Sequence, residues 1–449
     1  MLSRFSLLLL FALTACRPDT TPERPNILFI FADDQRADGI HAWGNDIIQT
    51  PALDRLAGSG YSFRNVHVMG SIHGAVCQPS RAMLMSGRSL YHVYAQLDTV
   101  TTFPQQLREN GYVTFGTGKW HQSQASFAKS FGIGRNIMFG GMSSHDAVPI
   151  RQMRDDGTFT DVDSLAWSTD LYADAAIDFL DSWVASDTSA PFLAYVAFQT
   201  PHDPRDPKAE YKAMYNGADI PLPPNFLPVH PFHNGWMTGR DEQLAEWPRP
   251  EAHIKDQIAE YYGLITQMDA HIGDILDRLD ELGLSDNTIV VYAADNGLAL
   301  GSHGLLGKQN QYEHSIRSPL IIVGPGLPRS ERCDALVTLQ DLFPTLCELT
   351  GAAVPVTVTG RSLKPLLLHQ TDRIHEFVAG MFTDTQRMIC DGRWKYICYP
   401  KAGREQLFDL VDDPHEMKDL SFSALHKSRR AALQARLLQW CREQGDPDL

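Results

Sequence analysis

Two pairs of adjacent oxygen-bearing side chains stand out in the sequence, Asp33-Asp34 and Asp295-Asn296. Each follows a short apolar run, NILFIFA at 26–32 and TIVVYAA at 288–294. Continuous apolar runs of this length read as buried parallel strands. Open α/β sheets bind ligands beyond the C-terminal ends of their strands. Carboxylate and amide oxygens are hard donors, suited to Ca²⁺ or Mg²⁺ rather than to zinc. One Asp in such a place is explained by a turn or a helix cap. Two pairs at matching strand ends point instead to a cation site. A second group is Cys77-Gln78-Pro79-Ser80-Arg81. Pro79 suits a first helical turn, which puts Cys77 at a helix N-terminus, where free N–H groups favour an anion. Arg81 adds a planar fork matched to a tetrahedral oxyanion. On residue type alone, a buried structural thiol ahead of a helix is the favoured reading of Cys77.

These groups need a scaffold, and the chain patterns one. Tyr112–Thr117 reads as a strand ending in Gly-Lys, and Pro191–Phe198 as one ending in Thr-Pro-His. Leu320–Val323 continues the set. Helical patterns at Pro51–Ala57, Phe103–Arg108, Asp170–Trp183 and Ile254–Leu282 lie between them. The alternation predicts an α/β fold with a mostly parallel sheet covered on both faces. After a helix at Asp341–Leu349, closed by Gly351, the character changes. Short strand patterns follow at Glu376–Phe382, Gln386–Cys390, Trp394–Tyr399 and Gln406–Leu410, then a helix at Ala424–Glu443. This predicts a small C-terminal α+β subdomain, an antiparallel sheet with one helix. The expected division is 26–365 and 366–449.

The chain has 449 residues, 43% of them hydrophobic and 21% charged, which is ordinary globular usage and excludes disordered, collagenous and coiled-coil classes. A net charge of −15 argues against a nucleic-acid partner. Arg4, the apolar stretch Phe5–Leu13 and Leu13-Thr14-Ala15-Cys16 resemble a lipoprotein signal. Residues 1–15 would then be a signal peptide, Cys16 the lipidated first residue and 16–25 a polar tether; a plain secretory signal with an incidental Cys is the alternative. The expected location is that of an exported bacterial lipoprotein, in the periplasm, at the outer membrane or on the cell surface. Its only membrane contact would be the lipid anchor. Seven cysteines include no CxxC pair, which argues against a thiolate zinc site. A Cys390–Cys398 disulfide is left open.

Cys77-x-Pro79-Ser80-Arg81 with Gly87-Arg88 resembles the first signature of the formylglycine-dependent sulfatases, in the alkaline-phosphatase-like superfamily. GYVTFGTGKWH at 111–121 resembles the second. The opening RPNILFIFADDQRAD, Asp295-Asn296-Gly297, Gly307-Lys308, Asp341 with Pro344-Thr345, and QLFDLVDDPHEMKDL fit the same family. The likeness runs from about residue 25 to about 420. Gln78 and Ser80 depart mildly from the residues often found there.

The resemblance implies an alkaline-phosphatase-like α/β/α sandwich and hydrolysis of a sulfate ester. It implies that a maturation enzyme oxidises Cys77 to formylglycine. A gem-diol held at the metal would attack sulfur, leave a covalent sulfo-enzyme, and expel sulfate. It assigns Asp33, Asp34, Asp295 and Asn296, with residue 77, to the cation, Ca²⁺ or else Mg²⁺. Arg81 would steady the hydrated aldehyde, and Lys119 and Lys308 would hold sulfate oxygens. His121 would assist sulfate release, and His202 would protonate or position the leaving oxygen. His303, between the metal pair and Lys308, either touches substrate or fixes its loop. His145 and Arg205 could read a sugar, though structural or solvent roles suit each better. Gln386-Arg387 could reach the pocket rim. The expected substrate is a sulfated small molecule or oligosaccharide. Two rivals stand beside this: a phosphonate monoester or phosphodiester hydrolase, and a catalytically silent glycan-binding lipoprotein.

Overall fold

The computed structural model describes residues 24–164 and 166–448. The expected signal peptide, Cys16 and most of the tether lie outside them. Eight strands form the main sheet: β1 (Asn26–Ala32), β2 (Tyr61–His67), β3 (Val113–Lys119), β4 (Ile133–Met138), β5 (Phe192–Ala197), β6 (Thr288–Ala294), β7 (Arg317–Val323) and β8 (Glu331–Thr338). Their order is β8-β2-β7-β6-β1-β5-β3-β4. All run parallel except β7, which pairs antiparallel with both β6 and β2. β7 runs against the rest because the loop after β6 returns directly to the neighbouring position, with no crossover helix to turn it parallel.

Successive side chains of a strand point to opposite faces. In β1, Ile27, Phe29 and Phe31 enter one apolar cluster, while Leu28, Ile30 and Ala32 enter another. Each fully buried Ile or Phe contributes about 2–3 kcal/mol of transfer free energy. Two helix layers cover these faces. Seven helices matter here: α1 (Pro51–Ser59), α2 (Cys77–Ser86), α3 (Phe103–Glu109), α4 (Ser168–Ala185), α5 (Glu251–Glu281), α6 (Leu342–Thr350) and α7 (Lys427–Gln444). α2, α3 and α6 pack on the Phe29 face, and α1, α4 and α5 on the Leu28 face. The product is a three-layer α/β/α sandwich.

A second sheet holds β9 (Val378–Phe382), β10 (Gln386–Cys390), β11 (Trp394–Tyr399) and β12 (Arg404–Asp409) as an antiparallel meander. α7 packs Leu433, Leu437 and Cys441 onto Ile389, Tyr396 and Leu407. The sheet also takes a two-residue strand, Gly70–Ser71, from the loop ahead of α2, paired parallel with β9. That pairing ties the small sheet to the loop that delivers Cys77. Cys390 and Cys398 are free thiols. Register keeps them apart: Cys398 faces Arg387, and Cys390 faces Lys395. Among the described residues no helix is long and apolar enough to cross a membrane.

Candidate active site

The C-terminal ends of β1, β3, β5 and β6 bring distant residues together. Asp33 and Asp34 follow β1, Lys119 ends β3, His202 lies beyond β5, and Asp295 and Asn296 follow β6. Cys77 is the first residue of α2 and is 2% exposed. Gly118 allows the close approach at the end of β3. Its φ is +89°, and a Cβ there would lie 1.9 Å from the Ala197 carbonyl oxygen. Asp34 and His121 also hold left-handed backbone, with φ of 63° and 55°. Such strain costs on the order of 1–3 kcal/mol each and concentrates at functional sites.

Asp33, Asp34 and Asp295 bring carboxylate oxygens within 4.8 Å of one another. The Asp34 amide donates to Asp295 Oδ1 at 2.9 Å, and Asn296 Nδ2 donates to Asp34 Oδ1 at 2.8 Å. Two buried oxygens of this cluster, Asp33 Oδ1 and Asn296 Oδ1, have no hydrogen-bond partner among the described residues. Buried oxygens left unsatisfied in an all-oxygen donor set fit a hard divalent cation. Burial pushes Asp33 upward, but Lys119, His202 and Arg81 outweigh it and hold its carboxyl well below the usual range. Burial, then the neighbouring Asp33 charge, pushes Asp295 the other way.

Around Cys77 the charges are positive. Its sulfur lies 3.8 Å from Lys119 Nζ, 4.0 Å from Lys308 Nζ and 3.4 Å from His121 Nδ1. Burial still pushes the thiol up to about 11, so both lysines fail to ionise it at neutral pH. Lys119 Nζ pairs with Asp33, and Lys308 Nζ sits 2.6 Å from Asp34 Oδ1. His202 Nε2 is 3.7 Å from Asp34 Oδ2, and its Nδ1 is held 2.7 Å from the Asp203 carbonyl oxygen. That bond places the Nδ1 proton, leaving Nε2 toward the site. Burial, then Lys308, lowers the affinity of His202 for a second proton.

Arg81 is anchored on the site's own strand ends. Its guanidinium is 1% exposed and lies beneath the centre. Nε donates to Asp295 Oδ2 at 3.0 Å and Nη1 to the Lys119 carbonyl oxygen at 2.7 Å. A buried guanidinium needs carboxylate and carbonyl partners; Nε and Nη1 have them, while Nη2 makes no hydrogen bond among the described residues. It braces the Asp295 and Lys119 ends of β6 and β3.

Cys77, His121, His202 and Lys308 line an open cleft of about 650 Å³ with Gly141, Met142, Trp236, Arg240, Asp241 and Gln309. A model of the sulfatase family matches residues 25–352. The chain belongs to the sulfatase family. A second model, N-sulphoglucosamine sulphohydrolase C-terminal, matches residues 301–443. This sulfatase is 28% identical to an arylsulfatase of Clostridium perfringens, over 95% of this chain and 96% of that one. It is 26% identical to an N-acetylglucosamine-6-O-sulfatase of Bacteroides thetaiotaomicron, over 95% and 88%. A solved protein in complex with its substrate D-glucosamine-2-N,6-O-disulfate shares the fold, with a TM-score of 0.79, 24% identity, and 95% and 99% coverage. The family makes the chain a sulfuric ester hydrolase of the alkaline-phosphatase-like fold.

The sequence-derived substrate candidates do not all reach the sulfatase cleft. His303 is buried and stacks on Tyr312 with ring centroids 3.9 Å apart, and its Nε2 donates to the Glu416 carbonyl oxygen at 3.0 Å. Of its two readings, the structure carries the loop-fixing one. His145 is equally occupied: Nδ1 is 3.1 Å from Ser168 Oγ, and Nε2 donates to the His202 carbonyl oxygen at 2.9 Å. It supports the segment bearing His202 and does not line the cleft. Arg387 is not at the rim; it is locked to Asp446 and Asp448. Gln386 donates to the Asn234 and Gln309 carbonyl oxygens, behind the Lys308 loop. Arg205 lines an adjoining cleft.

Sequence reading missed Trp236, Arg240, Asp241 and Gln309. The Lys308 loop rests on the segment that contains three of them. Glu242 accepts the Gly307 amide at 2.9 Å, and Gln309 Nε2 donates to Asp241 at 2.7 Å. The available signal was length: residues 213–250 hold only short turns of 3₁₀-helix, and so long an irregular stretch in a compact domain is commonly functional.

Proposed function

We propose that the protein is an exported, calcium-dependent carbohydrate sulfatase in which Cys77 acts as formylglycine. The observation that carries this reading is the sulfur of Cys77 set within 4.0 Å of Lys119, Lys308 and His121, above three clustered carboxylates. A helix start and two ammonium groups make a seat for a tetrahedral oxyanion. Asp33, Asp34, Asp295 and Asn296 would hold the cation, which when bound would make the hydroxyls of the hydrated aldehyde more acidic and offset charge on sulfate oxygens.

The chain's own residues divide the remaining work. Lys119 and Lys308 bind sulfate oxygens and stabilise charge as the ester bond breaks. His202, its Nδ1 proton held on the Asp203 carbonyl, turns Nε2 toward the leaving oxygen and protonates it from the imidazolium form, whose second proton sits on Nε2 facing the Asp34 carboxylate. His121, at 3.4 Å from residue 77, takes the proton that must leave when sulfate is expelled. Arg81 keeps Asp295 and Lys119 in place. The carbohydrate reading is supported by the relatives that act on sulfated glucosamines. Export is supported by the apolar stretch at 5–13 and the lipobox-like residues up to Cys16.

The test is sulfate release by ion chromatography from sulfated mono- and oligosaccharides, run beside 4-nitrophenyl sulfate and a phenyl phosphonate ester. Release from a sugar sulfate, lost in Cys77→Ala, is expected. Faster cleavage of the phosphonate than of every sulfate would favour the phosphonate hydrolase reading. Binding without turnover, unchanged by Cys77→Ala, would favour the silent glycan binder.

A further inference from the structure

The substrate cleft does not end at its rim. Met142 and Arg240 also line a second cleft of about 770 Å³, together with Ser143, Asp203, Arg205 and Gln257. Arg205 follows His202 by three residues, so their Cα atoms are at most about 11 Å apart. The second cleft therefore adjoins the reacting site, sharing Met142 and Arg240 with the first.

Arg205 is 7% exposed. One of its Nη atoms donates to Gln257 Oε1. Its Nε is buried without a partner. Among the described residues no carboxylate reaches ion-pair distance of it; the neighbouring Asp203 is already engaged by Arg240 and His202. A buried guanidinium without a counter-charge is costly, and folds keep such a group where something else supplies the charge. Its planar fork matches a carboxylate or a sulfate. With Arg205 and Arg240 against Asp203, the charged lining of the second cleft is net positive.

We propose that this second cleft is a distal subsite for an oxyanion carried by the sugar next to the one being desulfated. The oxyanion is a uronate carboxylate or a second sulfate, and Arg205 is the residue that reads it. The inference rests on the carbohydrate-sulfatase reading above and narrows it to multiply charged glycans.

The experiment compares three monosulfate-cleavage substrates: disaccharides whose neighbouring sugar is neutral, bears a carboxylate, or bears a second sulfate. The wild type should prefer one or both charged disaccharides over the neutral one by about tenfold in kcat/KM, chiefly through KM. Which arm shows the preference identifies the oxyanion. Arg205→Gln should erase the preference, and Arg205→Lys should keep part of it. No preference in the wild type, or a preference that survives Arg205→Gln, overturns the subsite. If no disaccharide releases sulfate, the carbohydrate-sulfatase reading fails. Titration calorimetry with the uronate disaccharide and with the disulfated one then decides the subsite by itself. Affinity for at least one should fall about tenfold in Arg205→Gln, and unchanged affinity for both overturns the proposal.

Discussion

Lys308 Nζ lies 2.6 and 2.7 Å from the two carboxylate oxygens of Asp34, a residue 274 positions away in the chain. Both are almost fully buried. The pair closes the site: it joins the end of β1 to the loop after β6. Removing one partner of a buried pair leaves an uncompensated charge, at a cost of about 3–5 kcal/mol. Lys308→Ala should therefore lower thermal stability as well as activity, with kcat/KM falling about 10²–10³-fold. Added Ca²⁺ should raise the melting temperature of Lys308→Ala more than that of the wild type, because the cation replaces the lost positive charge beside Asp34. Melting curves with calcium and with chelator check this. An equal calcium shift in both proteins would remove Asp34 from the cation site.

The Gly118 position makes a sharper structural prediction. Gly118 and Gly111 both hold positive φ, +89° and +84°. At Gly111 a new Cβ would meet nothing closer than 3.6 Å, from the Arg24 side chain. At Gly118 it would strike the β5 backbone at 1.9 Å. Gly111→Ala should cost about 1 kcal/mol, the left-handed penalty alone. Gly118→Ala should cost several times more and displace Lys119, its neighbour. Urea midpoints and activity of the two variants separate the effects; equal costs would show that the β3–β5 approach is not rigid.

Three buried histidines give the stability a pH dependence. Burial holds His145, His230 and His303 to about 4. In the unfolded chain each has its ordinary value near 6.5. Between those values the unfolded chain binds the proton and the folded one does not, so stability falls as pH drops from about 6.5 to 4. Each contributes on the order of 3 kcal/mol across the window. Asp269, raised by burial to about 7, works in the opposite direction. The informative measurement is therefore a difference. His303→Gln keeps a donor for the Glu416 carbonyl and should flatten the acid-side slope by about one proton relative to the wild type. Parallel slopes would place the His303 proton affinity near its unfolded value.

Much of this molecule was legible in the sequence. β1 and β6 were readable because they are buried on both faces and hence apolar at every position. Their ends carry paired oxygen donors, so the buried cluster of Asp33, Asp34 and Asp295 followed from the same runs. β2, β4 and β8 were not read as strands. YSFRNVH, IGRNIM and ERCDALVT mix polar residues with apolar ones, because each is partly exposed or near a sheet edge. The direction of Arg81 was also unreadable. Its type suits an anion, and only the fold shows Asp295 and the Lys119 carbonyl already there. His303 was ambiguous for the same reason: its hydrogen-bond partner, the Glu416 carbonyl, comes from a distant segment. The cleft wall at 236–241 has no periodicity, so nothing local announces it.

The state of Cys77 is the prediction on which the chemistry depends. Burial pushes its thiol up to about 11 although two lysines lie within 4.0 Å. A neutral thiol is a poor nucleophile toward sulfate sulfur. The surroundings suit an oxygen nucleophile beside cations far better than a sulfur one. Protein made with a formylglycine-generating maturase should yield a Cys77 peptide lighter by about 18 Da than the thiol form. Cys77→Ser, which keeps an oxygen but lacks the second hydroxyl, should accumulate one sulfated turnover and stop, whereas Cys77→Ala should form no adduct at all. Intact mass after incubation with a sulfate ester distinguishes the two. Multiple turnover by protein carrying an unmodified Cys77 would refute the formylglycine assignment while leaving the fold and family untouched.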